Sequence, residues 1–141
     1  MIALDHYWRG RDLTHGLMLS TAMRANAART IELADKLLVL AKLAGVSLEF
    51  IPATSSIVSS GWRPPDVNAA TPGAAAKSLH MTCEAIDLYD PDGDLDEWLL
   101  SDAGQRAMAD LGLWHEHPSA TKGWAHLQTK PPRSGRRTFY P

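Results

Sequence analysis

The sequence predicts an α+β fold: a single small domain in which N-terminal helices pack on a short antiparallel sheet. Three observations carry this reading. Apolar residues recur at helical spacing through the first third of the chain, the period shortens to two after Gly45, and a single helical stretch interrupts the later strand-like segments. A regular βαβ repeat would alternate strand and helix throughout, and this chain does not.

In order along the chain, Leu13 to Arg24 reads as a first helix, weakened by Gly16. "ANAARTIELADKLLVLAKLAGV" reads as a second. Ile31, Ala34, Leu38 and Ala41 form its stripe, Leu37 and Leu40 widen it, and Gly45 stands where a terminating glycine belongs. "VSLEF" and "SSIVSS" read as short strands separated near Pro52. "GWRPPDVNAATPGAAAKS", with three prolines and two glycines, reads as a long loop, and long loops in small domains are commonly functional. "EAIDLYD" alternates, with Ile86 and Leu88 on one side and Ala85, Asp87 and Tyr89 on the other. "DPDGD" is a turn. Asp94 or Asp96 is expected to cap a helix through Leu100, and Ser101 a second helix ending near Gly112. "GWAHLQT" alternates again, with Trp124, His126 and Gln128 sharing a face. The tail is extended and basic.

At 141 residues the chain suits one domain, 1–141, with residues 1–20 as an N-terminal extension and 130–141 as a basic C-terminal strap. A hydrophobic content of 45% and a net charge of −2 are ordinary for a globular protein and give no pull toward nucleic acid or membrane. One cysteine forms no internal disulfide. The start, "MIALDHYWRGRD", lacks the apolar core of a secretory signal.

The chemistry concentrates in "KSLHMTCEAIDLYD", where His80 and Asp87 stand seven residues apart with Cys83 between them. Seven residues of helix rise roughly 10 Å, and seven of strand span about 23 Å with the two ends on opposite faces. The pair shares a metal only if the chain bends between them, near residues 81–84. His126, on a similar face of another strand, suits a third ligand. Two histidines and a carboxylate leave a fourth zinc position open, as catalytic sites do. The acidic run alternates Asp90, Asp92 and Asp94 as a calcium loop does, but its twelfth position is Ser101 and not the bidentate glutamate, so calcium is the lesser reading. His115 and His117 read as exposed loop histidines.

"SGWRPPDVN", "KSLHMTCEAIDLYDPDG", "LGLWHEHPSATKGWAHLQ" and "PPRSGRRTFYP" together resemble the M15 zinc peptidases, of the D-Ala-D-Ala carboxypeptidase and L-alanyl-D-glutamate endopeptidase type, and especially their phage and prophage branch. The family pattern Ser-x-His-x-x-Gly-x-Ala-x-Asp with a later Trp-x-His falls on Ser78, His80, Cys83, Ala85, Asp87, Trp124 and His126. The resemblance implies a fold shared with the hedgehog signalling domain, and Zn2+ held by His80, Asp87 and His126. The implied activity is hydrolysis of amide bonds in peptidoglycan stem peptides.

Two departures stand out. Cys83 replaces the usual glycine, and Gly123 occupies the place of the glutamate in Glu-x-x-His. Glu116 is therefore the candidate general base toward metal-activated water. Arg63 is the candidate to bind a substrate carboxylate, Ser78 and Trp124 to line the site, and Gln128 to orient a ligand. Cys83 reads as a small residue accommodated in the bend, with zinc ligation by its thiolate the lesser option. The expected partner is the stem peptide, with no nucleic acid or membrane, and the chain is expected to be monomeric. With no signal peptide, it would remain in the host cytoplasm until a holin releases it to the wall, or travel on a virion. The competing reading is a phage structural or wall-binding module that keeps the fold, and perhaps the zinc, without catalysis.

Overall fold

Ser20 accepts a hydrogen bond from the Met23 amide and so opens the longest helix of the chain, seen in a computed structural model that describes all 141 residues. Before it come two short helices, α1 (Leu4–Trp8) and α2 (Arg11–Thr14), joined by Arg9 and Gly10 in left-handed conformations. α3 (Thr21–Leu43) buries Ala27, Thr30, Ile31, Ala34, Leu37, Leu38 and Ala41. Leu40 is exposed, so the stripe is narrower than expected. Gly45 at φ 90° ends α3, and the Val46 amide reaches back to the Ala41 carbonyl. The first predicted helix is corrected: a 3-10 turn at Gly16–Met18 and an extended Leu19 separate Arg11–Thr14 from α3.

The sheet contains β1 (Val58–Ser60), β2 (Ala85–Asp90), β3 (Trp114–Glu116), β4 (Gly123–Gln128) and β5 (Thr138–Phe139), in the order β1-β2-β4-β3-β5. All neighbours are antiparallel except β3 and β5, which run parallel and modify the expected all-antiparallel sheet. The predicted strand "VSLEF" is not one. Val46 and Leu48 pack against the core from irregular backbone, and a single bridge, Ile51 to Ser56, follows. Their alternation came from packing with no neighbouring strand to bond.

The long loop is partly helical. α4 (Pro65–Ala70) starts with proline at its first position, and a 3-10 turn covers Leu79–Thr82. α5 (Asp94–Leu100) follows Gly93. Its cap is neither Asp94 nor Asp96: the Asp90 carboxylate accepts from the amides of Leu95 and Asp96 at 3.1 and 2.9 Å. This employs the acidic run structurally. α6 (Asp102–Leu111) is capped by Ser101 and closed by Gly112, as expected.

Ile86, Leu88, Ala125 and Leu127 point from the sheet into one apolar core with α3, α5 and α6. His115 belongs to this side too. It is fully buried on β3, its Nε2 2.8 Å from Asp96, and is not an exposed loop residue. The opposite face of the sheet carries the polar residues, roofed by residues 61–80. No helix is long and apolar enough to cross a membrane.

Candidate metal centre

His80 reaches the sheet from the 3-10 turn, and the bend after it brings the chain directly into β2. Ser78 caps that turn through the His80 amide at 3.3 Å, and Cys83 closes it at φ 62°. The left-handed region is costly for any residue with a Cβ, by about 1–2 kcal/mol, which accounts for a glycine being the simplest occupant. Helix α3 holds the bend from below: Thr30 donates to the Cys83 carbonyl at 2.9 Å and Asn26 to that of Thr82 at 3.0 Å. The Cys83 side chain is buried in the core, and burial, with Glu84 adding to it, pushes its thiol up to about 12. It points away from the polar face and is not among the converging ligand atoms.

Asp87 and His126 are direct partners in the β2–β4 register, so one antiparallel pairing brings together residues distant in sequence. His80, Asp87 and His126 each place a ligand atom within 4.8 Å of the others. Oδ1 of Asp87 lies 3.2 Å from Nε2 of His80 and 2.7 Å from Nδ1 of His126. The far nitrogen of each ring is tied to an oxygen. Nδ1 of His80 donates to the Gly61 carbonyl at 2.7 Å, and Nε2 of His126 to Oε1 of Gln128 at 3.4 Å. Gln128 is oriented in turn, because its amide nitrogen donates to the Lys130 carbonyl at 2.7 Å.

These bonds test whether a metal fits. A nitrogen that donates to a carbonyl carries the ring's hydrogen, so in each neutral histidine the nitrogen facing Asp87 is a lone pair. Two lone pairs and a carboxylate oxygen thus meet, an arrangement that a metal cation, or a proton on His126, relieves. Borderline nitrogen donors with one hard oxygen and outer hydrogen-bond partners are the donor set of zinc. The residues fit the group.

Burial drives the His80 pKa down despite the opposing pull of Asp87. For His126 burial also pulls downward, but the hydrogen bond and charge of Asp87 outweigh it and the pKa rises. Burial would raise Asp87, yet the two histidines hold its carboxyl well below the usual range.

Glu116 ends β3. The β3–β4 register pairs Trp114 with Gln128 and His115 with Leu127, and the charge of Glu116 acts on His126 of the neighbouring strand. Ten residues of sequence separation thus become adjacent strands. Glu116, Asp87, His126, Gln128, Trp124, Ser78 and Arg63 all line one cleft of about 670 Å³. Trp124 is 37% exposed and forms its wall, not a packing layer beneath the loop. Arg63 donates to Ser78 at 3.2 Å, while its Nε is buried with no partner. Burial lowers its pKa, with Asp87 and Glu116 opposing.

Every sequence-predicted site residue except His80, which is fully buried behind the wall, therefore lines this cleft. The carbonyl of Gly61 was missed, although the glycine in "SGWRPP" was a signal of close backbone approach. Arg9 and Arg11 also line the cleft and carried no signal.

No curated protein and no solved structure matches the chain. The family model described as Peptidase M15 matches residues 13–121, a span that includes His80, Asp87 and Glu116 and stops short of His126. On that match, the chain belongs to the Peptidase M15 family.

Proposed function

We propose that this chain is a zinc peptidase that hydrolyses amide bonds in peptidoglycan stem peptides, with His80, Asp87 and His126 as metal ligands and Glu116 as general base. The observation that carries the reading is the convergence of the His80, Asp87 and His126 ligand atoms within 4.8 Å of one another, with Glu116 on the adjacent strand and Arg63 in the same cleft. Bound zinc supplies Lewis-acid chemistry, polarising the scissile carbonyl and lowering the pKa of water.

The protein's own groups do the rest. Gly61 and Gln128 fix which nitrogen each histidine offers, and Asp87 supplies the negative charge. Glu116 accepts a proton from the attacking water and returns it to the leaving amine as the C–N bond breaks. Arg63, whose Nε lacks a partner, receives a substrate carboxylate, and Ser78 holds the guanidinium in place. Trp124 supports the peptide backbone along the wall of the cleft.

The test is hydrolysis of purified peptidoglycan and of a D-Ala-D-Ala-terminated stem peptide by zinc-loaded protein, following D-alanine and newly exposed amines. D-alanine alone marks a carboxypeptidase, and new internal amino termini mark an endopeptidase. Glu116→Gln is expected to lower kcat by about 100- to 10,000-fold with zinc retained. Unchanged turnover in that variant removes Glu116 as base. No turnover by the zinc-loaded wild type supports a wall-binding module in place of an enzyme.

A further inference from the structure

The cleft that holds the candidate metal ligands Asp87 and His126 is also rich in cations. Arg9, Arg11, Arg63 and Lys77 line it, and its only carboxylate side chains are Asp87 and Glu116. Arg9 and Arg11 come from the N-terminal segment, before the residues matched by the family. Both are fastened by backbone carbonyls of the loop that leads to Arg63. One terminal nitrogen of Arg9 donates to the Ser59 carbonyl, and one of Arg11 to the Trp62 carbonyl at 2.5 Å. Each guanidinium carries five N–H donors in a planar fork, so one such bond fixes its position and leaves most donors free.

None of the three arginines forms an ion pair. The nearby carboxylate, Asp66, is engaged by His15 at 2.9 Å. Burial and then the like charges of Arg9 and Arg63 hold the Arg11 pKa below its usual value, and no carboxylate opposes them. Holding Arg11 between Arg9 and Arg63 with no ion pair of its own costs stability unless an anion is supplied from outside.

We infer that Arg9 and Arg11 form a second anion subsite beside Arg63, so that the preferred substrate is a peptide bearing a second carboxylate besides its terminal one. The inference rests on the peptidase reading and names its substrate class. A terminal carboxylate at Arg63 and a side carboxylate at the Arg9–Arg11 pair would fix the peptide at two points. A neutral carboxamide offers one acceptor and no charge, and is discriminated against accordingly.

The test compares two synthetic stem pentapeptides with the same free C-terminus. One carries its internal glutamyl and diaminopimelyl carboxylates free, and in the other both are carboxamides. Cleavage (kcat/KM) and binding to the zinc-loaded full chain by calorimetry are measured for each. Wild type is expected to favour the carboxylate peptide about tenfold, the value of one charge-assisted contact, and added salt is expected to shrink that preference. In R9Q/R11Q the ratio falls to near one, and in R9K/R11K it is largely kept. A general folding defect depresses both peptides together and leaves the ratio intact, so an intact ratio in R9Q/R11Q overturns the proposal. Equal use or equal binding of the two peptides by wild type, or binding of neither, overturns it as well. Preferential binding without cleavage supports the subsite while contradicting the peptidase reading.

Discussion

Gln128 turns its amide oxygen to His126 because its nitrogen is already committed to the Lys130 carbonyl. Removing that oxygen frees the imidazole to place its hydrogen on the ligand nitrogen. Gln128→Leu is therefore expected to weaken zinc about 10- to 100-fold, read by competition with a chromophoric chelator. An unchanged affinity would show that the ring is oriented without Gln128. Cys83 presents two opposing effects at φ 62°. Glycine relieves the left-handed strain but loses the buried thiol, so Cys83→Gly is expected to shift stability by less than about 1 kcal/mol. Cys83→Val places a β-branched residue where only glycine is comfortable, and is expected to cost about 2 kcal/mol or more in chemical denaturation. The sequence exposed the bend at Cys83 because geometry required one between His80 and Asp87. It left open which ring nitrogen each histidine presents, since Gly61 and Gln128 settle that across other elements.

At the scale of elements, the loop carrying Gly61 and the turn carrying His80 are locked to the N-terminal helix. Gly61 has no room for a side chain: a Cβ there would stand 2.1 Å from the Tyr7 carbonyl oxygen and 2.8 Å from its carbon. That oxygen also accepts the Trp62 amide, and the Tyr7 hydroxyl donates to the Ala85 carbonyl at 2.9 Å. Because the obstacle is backbone, Gly61→Ala must move the loop. It is expected to cost about 1–3 kcal/mol and to loosen zinc by displacing the carbonyl that holds His80. A variant with wild-type Tm and wild-type zinc affinity would refute this coupling. Strands β2 and β4 were legible from alternation alone, since in each the large apolar residues Ile86, Leu88 and Leu127 fall on the core face. β3 was not: its three residues read as loop, and His115 on it looked exposed because its partner, Asp96, lies on α5. The same alternation misled at Val46 and Leu48, where burial recurs every second residue without a ladder.

For the whole molecule, the sheet separates two environments. Apolar residues of β2 and β4 face the helices, and the polar residues between them face the cleft. The charges in that cleft make stability and metal binding depend on pH. Without metal, His126 is raised, so its contribution is complete below the ordinary histidine value and is lost as pH rises through the raised one. His80 is lowered, so its contribution is complete above the ordinary value and is lost as pH falls through the lowered one. The metal-free protein is thus expected to be most stable near about pH 6.5. Zinc, which needs both rings deprotonated, is expected to add most stability above that pH and to be released as pH falls below it. Thermal denaturation with and without zinc across pH 5–8 checks this; parallel curves would contradict it.

The central claim is that three residues from the turn, β2 and β4 hold one metal. Zinc measured in the purified, dialysed full chain by atomic emission addresses it most directly. About one zinc per chain is expected in the wild type, with little left in Asp87→Ala or His126→Ala that remain folded by circular dichroism. Full zinc in either folded variant, or none in a zinc-supplied wild type, would contradict the claim.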